Sequence, residues 1–141
     1  MSGTSKNRTI ERIIDANSNR AKEGLRVCEE VTRFILESRA LTTQFKKLRH
    51  KLDAMFAAFP DRDKLMTLRY AETDIGKTIY AGELKRSSHK DVFFANIQRV
   101  KESLRVLEEF SKLKEVKLAL GFKKIRYAVY ELEKKVARRL K

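Results

Sequence analysis

The feature that most constrains this chain is that it repeats itself. Ala16, Asn17, Arg20, Lys22, Glu23, Leu25, Arg26, Val27, Glu29 and Glu30 recur, without a gap, as Ala95, Asn96, Arg99, Lys101, Glu102, Leu104, Arg105, Val106, Glu108 and Glu109, each 79 positions later. A second match follows each copy, Phe45-Lys46-Lys47-Leu48-Arg49 against Phe122-Lys123-Lys124-Ile125-Arg126. Whatever the first copy folds into, the second does as well, in the same order.

The apolar spacing says what that unit is. Ile10, Ile13, Ile14, Ala21, Leu25, Cys28, Val31 and Ile35 recur at helical intervals and predict a helix from about Thr9 to Glu37. Leu41, Phe45, Leu48, Leu52, Met55, Phe56 and Phe59 form a second stripe, which must stop before Pro60. Ser88-His89-Lys90-Asp91 resembles a capping box with Asp in place of Glu, and opens a third helix running to about Leu113. Phe122, Ile125, Val129, Leu132, Val136 and Leu140 carry a fourth. A short helical turn is expected near Asp61–Met66, and no segment alternates as a strand does. The expected fold is all-α: four long helices, as two repeated hairpins, packed into a bundle with approximate two-fold symmetry. Residues 1–141 form one domain, with repeat 1 over about 9–59, repeat 2 over about 88–141, and an irregular connection over about 60–87. Connections of that length are uncommon unless they bind something or are disordered. Leu68, Ile75, Ile79 and Leu84 are the anchors expected to pack it partly on the bundle.

Composition narrows the class. No run of about 18 apolar residues exists to cross a membrane. The first residues carry no apolar core of a secretory signal, and a single cysteine, Cys28, excludes an intrachain disulfide or a cysteine-based zinc cluster. A cytoplasmic protein is expected. The net charge of +14 invites a nucleic-acid reading. Yet 37% of residues are charged, and Lys alternates with Glu along most helices. That interspersion argues against one basic binding face, and it is how proteins of hot-adapted organisms often look. Nucleic acid is therefore a lesser alternative.

A polar trio stands where apolar residues belong. On a helical wheel Asn17 lies in the middle of its stripe, Arg20 about 60° to one side, and Glu23 at the edge. Asn96, Arg99 and Glu102 repeat the pattern. Such groups are costly in a seam unless they satisfy one another or a ligand. Two readings compete: a network that fixes helix register, and a polar pocket at the bundle's midsection. Four of the six Asn and Gln residues stand at the paired positions 17/96 and 19/98, which favours the pocket. Arg49 and Arg126, at the edges of the second stripes, add positive charge, and Glu133 is placed to pair with Arg126. Gly24 and Ser103 share a small-residue position, for which close helix packing is the commoner cause. Cys28 reads as core, His50 as surface and His89 as a helix start. Asp74-Ile75-Gly76-Lys77-Thr78 looks like the end of a P-loop, but Ala71 stands where a glycine is needed and no strand precedes it.

Arg12-Ile13-Ile14-Asp15-Ala16-Asn17, then Asn19-Arg20-Ala21-Lys22-Glu23-Gly24-Leu25-Arg26-Val27, resembles a helical domain often fused ahead of thiamin-phosphate synthase in bacteria. Asp74-Ile75-Gly76, Ala95-Asn96, Arg99, Glu102, Leu104-Arg105-Val106-Leu107-Glu108-Glu109 and Ile125-Arg126-Tyr127-Ala128-Val129-Tyr130-Glu131-Leu132-Glu133 look like the same family. The resemblance implies a hydroxymethylpyrimidine-phosphate kinase, moving the γ-phosphoryl of ATP to a pyrimidine monophosphate. Such chemistry asks for positioning, positive charge and carboxylate-held Mg2+. It implies phosphate or substrate binding by Asn17, Asn19, Arg20, Arg49, Arg69, Asn96, Arg99 and Arg126. Glu23, Asp74 and Glu102 would be catalytic, with Asp74 as the magnesium ligand. The synthase domain is not in this sequence, so the resemblance implies a chain acting alone or beside a separate thiamin-phosphate synthase. A non-catalytic domain that binds a thiamin precursor or regulates the synthase is the main alternative. The oligomeric state stays open, a homodimer included.

Overall fold

The computed structural model describes residues 3–59, 71–78 and 84–140. Four long helices carry these residues: α1 (Gly3–Glu30), α2 (Arg39–Ala57), α3 (His89–Ser111) and α4 (Val116–Arg139). Among the described residues none is in a strand, and no helix is long and apolar enough to cross a membrane. The fold is all-α.

Three of the helix boundaries have a local cause. Ser88 accepts a hydrogen bond from Asp91 N through its side chain, and so caps α3. The reciprocal arm of that box goes one residue further back, because the Asp91 carboxylate accepts from the backbone and hydroxyl of Ser87. Ser38 caps α2 in the same way, accepting from Leu41 N. α2 ends at Ala57, before Pro60, and Phe59 turns back into the core against Phe122, ring centroids 6.2 Å apart. Three boundaries differ from the sequence expectation, the first being that α1 begins at Gly3 and not near Thr9. α4 begins at Val116, well before the first residue of its expected stripe. α1 gives way at Val31 to a π-helical turn, Val31–Ile35. The wider π turn advances the register, so Ile35, expected on the apolar stripe, is 48% exposed.

α1 and α3 form the largest interface and run antiparallel. Glu11 pairs with Lys114 at 3.2 Å, Gly24 lies under Asn96 and Val100, and Cys28 Sγ meets Phe93 O at 3.8 Å. α2 covers α1, and α4 covers α3. The core between them holds Leu25, Phe45, Leu52, Phe93, Ile97, Val100, Leu104, Leu107, Phe122, Ile125 and Val129. Gly24 is small for packing: a Cβ there would stand 2.6 Å from Val100 Cγ2. Cys28 is buried as expected, and burial, with the Glu133 carboxylate adding to it, pushes its thiol pKa far up.

The connection does not pack as expected where it is described. Ile75 is 94% exposed and Leu84 73% exposed, so neither anchors it. Two 3-10 turns are described, Ala71–Thr73 and Ile75–Lys77, and local bonds from Lys77 N to Asp74 O and from Gly76 N to Asp74 Oδ1 tie the second. The expected helical turn at Asp61–Met66, and the anchors Leu68 and Ile79, lie outside the described residues.

Candidate functional site

The paired polar trios do not meet in one hollow. Asn17 is buried, but its Nδ2 donates to Ile13 O, four residues back on its own helix, at 2.9 Å. Asn96, half-buried, does the same with Val92 O at 2.8 Å. Each amide therefore spends a donor on its own helix. Asn96 lies opposite the stretch between Gly24 and Cys28, eight or nine residues past Asn17, so the two amides are staggered by roughly 13 Å along the antiparallel pair. Arg20, Glu23, Arg99 and Glu102 are exposed. Their long side chains reach past the stripe's edge into solvent, which is the cheaper outcome for charge. Asn19 Nδ2 donates to Asp15 Oδ1 at 3.5 Å, and Gln98 Nε2 to Glu102 Oε1 at 3.1 Å. Asp74 is exposed, and its Oδ1 accepts from Gly76 N at 2.7 Å. Arg69 lies outside the described residues.

The second-helix arginines do converge on partners, which sequence reasoning does not supply. Arg49 Nη2 sits 3.3 Å from Glu29 Oε1, and Arg126 Nη2 sits 3.2 Å from Glu108 Oε1. Both carboxylates are buried, and each takes a second arginine from its own helix, Arg26 at 3.1 Å and Arg105 at 3.2 Å. Glu133 pairs with Lys101 at 2.9 Å, not with Arg126. Each hairpin thus has the same internal brace, a buried carboxylate holding its two helices through an arginine. Pairing and hydrogen bonding offset much of the cost of burying such a carboxylate.

The first brace opens into a cleft. A cavity of about 680 Å3 lies between the end of α1, the π turn and the start of α2, lined by Arg26, Glu29, Arg33, Glu37, Ser38, Arg39, Thr42, Thr43, Lys46 and Arg49. Five cations against two carboxylates leave this lining a formal charge of +3. Among the described residues Arg39 and Lys46 form no ion pair, and Arg33 stacks on Phe34 at 4.6 Å. The floor is tied down. Thr32 Oγ1 donates to Glu29 O and so receives the proton of Thr42 Oγ1, each at 2.9 Å, while Ser38 N bonds Thr32 O at 2.9 Å. Glu37, between the π turn and α2, has a φ of 50°, the single left-handed non-glycine residue among those described. Strain of that kind persists where surrounding bonds fix the backbone, and it clusters at binding sites. A concave, rigid and strongly cationic wall is suited to phosphate groups.

The two copies differ at this point. Arg39, Thr42 and Thr43 correspond to Val116, Ala119 and Leu120, counting from the Phe45/Phe122 match. That spacing is 77, against 79 earlier, so the first hairpin's connection is two residues longer. The π turn and Glu37 occupy that longer connection. Sequence reasoning finds Arg49 but misses the other cations of the cleft. Arg26 and Lys46 match Arg105 and Lys123, whereas Arg39, against Val116, is a mismatch that sets the first copy apart.

Comparison with known proteins fits this geometry into a family. The ThiD2 family model matches residues 12–135, nearly the whole helical unit. The chain belongs to the ThiD2 family. Its relatives include a protein named thiamine-phosphate synthase from Synechocystis sp., 42% identical over 125 residues, covering 88% of this chain and 35% of that protein. One of the same name from Thermosynechococcus vestitus is 39% identical over 130 residues, covering 92% and 36% respectively. Another from Rhodopirellula baltica is 39% identical over 135 residues, again covering 92% and 36%. This ThiD2 chain spans about a third of the length of these relatives. No solved structure matches it.

Proposed function

We propose that this ThiD2-family chain is a kinase of thiamin biosynthesis. It transfers the γ-phosphoryl group of ATP to hydroxymethylpyrimidine phosphate, giving the diphosphate that thiamine-phosphate synthase consumes. The observation that carries the reading is the cationic cleft of the first hairpin, in a family whose relatives carry the synthase name. Phosphoryl transfer needs little covalent chemistry from the protein. It needs the phosphates held in line and their developing charge offset, which Arg33, Arg39 and Lys46 supply beside Arg26 and Arg49, already paired with Glu29. The nucleotide brings its Mg2+ as part of the substrate. Among the described residues no group of three or more His, Cys, Asp or Glu forms a metal cage. That fits an ion that binds mainly through phosphates and water with one or two carboxylates. Asp74, with one oxygen not engaged by Gly76, is the proposed carboxylate. Arg20 and Glu23, exposed on α1 one to two turns before Arg26, are proposed for the acceptor side. Asn19, Arg99, Glu102, Asn17 and Asn96 are second choices, since the two amides already serve their own helices.

A second reading has its own support. The relatives are about two and a half times as long as this chain and named for the synthase. A domain that binds the pyrimidine phosphate and hands it to a separate synthase, without catalysis, also fits. One assay separates the two. Purified protein is mixed with hydroxymethylpyrimidine phosphate, ATP and Mg2+, and the pyrimidine diphosphate is sought by mass spectrometry. Product formation supports the kinase. Tight pyrimidine binding with no product would sink the kinase and favour delivery to the synthase.

A further inference from the structure

The cleft's chemistry says which of two phosphorylated ligands it holds. Its lining contains no apolar or aromatic side chain. Sites for planar rings are walled mostly by such groups, with few polar contacts to orient the ring. A pyrimidine finds no apolar wall here, only guanidinium groups that phosphates also engage. The cations are also strung out, not gathered at one point. Arg39 and Lys46 are seven residues apart on α2, as are Arg26 and Arg33 along α1 and its π turn, which spreads them over roughly 10 Å. A single phosphate ester, at about −1.5 to −2 charge, engages one end of such a row. A chain of linked phosphates engages all of it.

We propose that this cleft binds the linear polyphosphate of the phosphoryl donor, a nucleoside triphosphate, and that the pyrimidine acceptor sits outside it. The inference rests on the kinase reading above and assigns the donor's place within it. The brace of Glu29 and Arg49 is shared with Glu108 and Arg126, so it belongs to the scaffold. Arg26, Lys46 and Arg49 likewise have basic counterparts in Arg105, Lys123 and Arg126, but Arg39, Thr42 and Thr43 stand where the second copy has Val116, Ala119 and Leu120, and the π turn beside them belongs to the first hairpin's longer connection. The donor site is therefore in one copy, and the second copy is its support.

Calorimetric titration of the full chain with sodium tripolyphosphate and with inorganic phosphate tests this. Lys123→Glu, at the second copy's counterpart of Lys46, serves as the charge-matched control. Tripolyphosphate is expected to bind at least about tenfold more tightly than inorganic phosphate and to compete with a non-hydrolysable ATP analogue. Arg39→Glu and Lys46→Glu, both exposed and so compatible with folding, are each expected to weaken it by about tenfold, and Lys123→Glu by less than about twofold. Equal affinity for the two probes, or equal effects at Lys46 and Lys123, would overturn the assignment. Kinetics keep it apart from the kinase reading. Unchanged ATP affinity in Arg39→Glu, with the KM for the pyrimidine phosphate raised instead, overturns the donor site and leaves the kinase standing. Polyphosphate binding that Arg39→Glu abolishes, in a protein that makes no diphosphate, supports the site and removes the kinase.

Discussion

A methyl group added at Gly24 sets two known quantities against each other. Alanine in place of a mid-helix glycine gains about 1 kcal/mol of helix propensity. Here the new Cβ would stand 2.6 Å from Val100 Cγ2 and 3.1 Å from Asn96 O. Carbon atoms rest about 3.5–4.0 Å apart, so α1 and α3 must part by close to 1 Å or Val100 must move. Val100 is fully buried in mid-helix, where a β-branched side chain keeps essentially one rotamer, and the Asn96 carbonyl is backbone. Overpacking of this kind costs about 1–3 kcal/mol. The net expectation for Gly24→Ala is a loss of about 1 kcal/mol, or about 3 °C in Tm for a chain of this size. Urea unfolding followed by far-ultraviolet circular dichroism reads it directly. Val100→Ala alone should cost about 2 kcal/mol. In the double variant the methyl group introduced at position 24 takes the space of the lost Cγ2, so the two losses should fall short of their sum by about 1 kcal/mol. A Gly24→Ala protein more stable than the parent, or two strictly additive losses, would refute the close approach of α1 and α3.

Glu37→Gly should raise stability by about 1 kcal/mol in the same urea experiment, because the left-handed φ that costs an ordinary residue is free to glycine. A loss would mean that the Glu37 side chain holds the turn more than its backbone strains it. Cys28 should resist alkylation at neutral pH in the native protein and react in urea, since burial raises its pKa and hides it; rapid native labelling would contradict that burial. Asp91 is held below the usual carboxylate range, first by the side-chain and then by the backbone hydrogen bond from Ser87. A depressed folded pKa contributes stability above the ordinary value of 3.8 and loses it as pH falls through the lowered one. Proton-linked chemical shifts of Asp91 should therefore titrate below the ordinary aspartate midpoint, and Ser87→Ala should move that midpoint up.

The helices are legible in this chain because burial imposes a period on apolar residues, and four stripes of that period survive among many charges. Ser88 and Pro60 punctuate them for equally local reasons. The π turn is not legible, because Val31-Thr32-Arg33-Phe34-Ile35 reads as more of the same helix. Its register shift is imposed by the return of α2 and by the Thr32–Thr42 bond. The seam trio misleads for a related reason. Wheel position says which way a Cβ points, yet a short amide such as Asn17 can fold back onto its own helix. Arg20 can leave the seam altogether. The brace carboxylates Glu29 and Glu108 stand inside the repeated motif, but their burial depends on arginines from the partner helices. The cleft draws Arg26, Glu29, Lys46 and Arg49 from the repeated motifs, and what sets it apart from the second copy shows only in their differences, Arg39 against Val116 and Thr43 against Leu120.

Formation of the pyrimidine diphosphate by the parent protein and by an Arg33→Ala, Arg39→Ala, Lys46→Ala variant, with hydroxymethylpyrimidine phosphate, ATP and Mg2+ at equal protein concentration, tests the central claim most directly. ATP-dependent product from the parent, and a kcat/KM lower by at least about a hundredfold (some 2.7 kcal/mol) in a variant that still folds, is the expected result. No product from the parent, or equal rates from the two proteins, would contradict it.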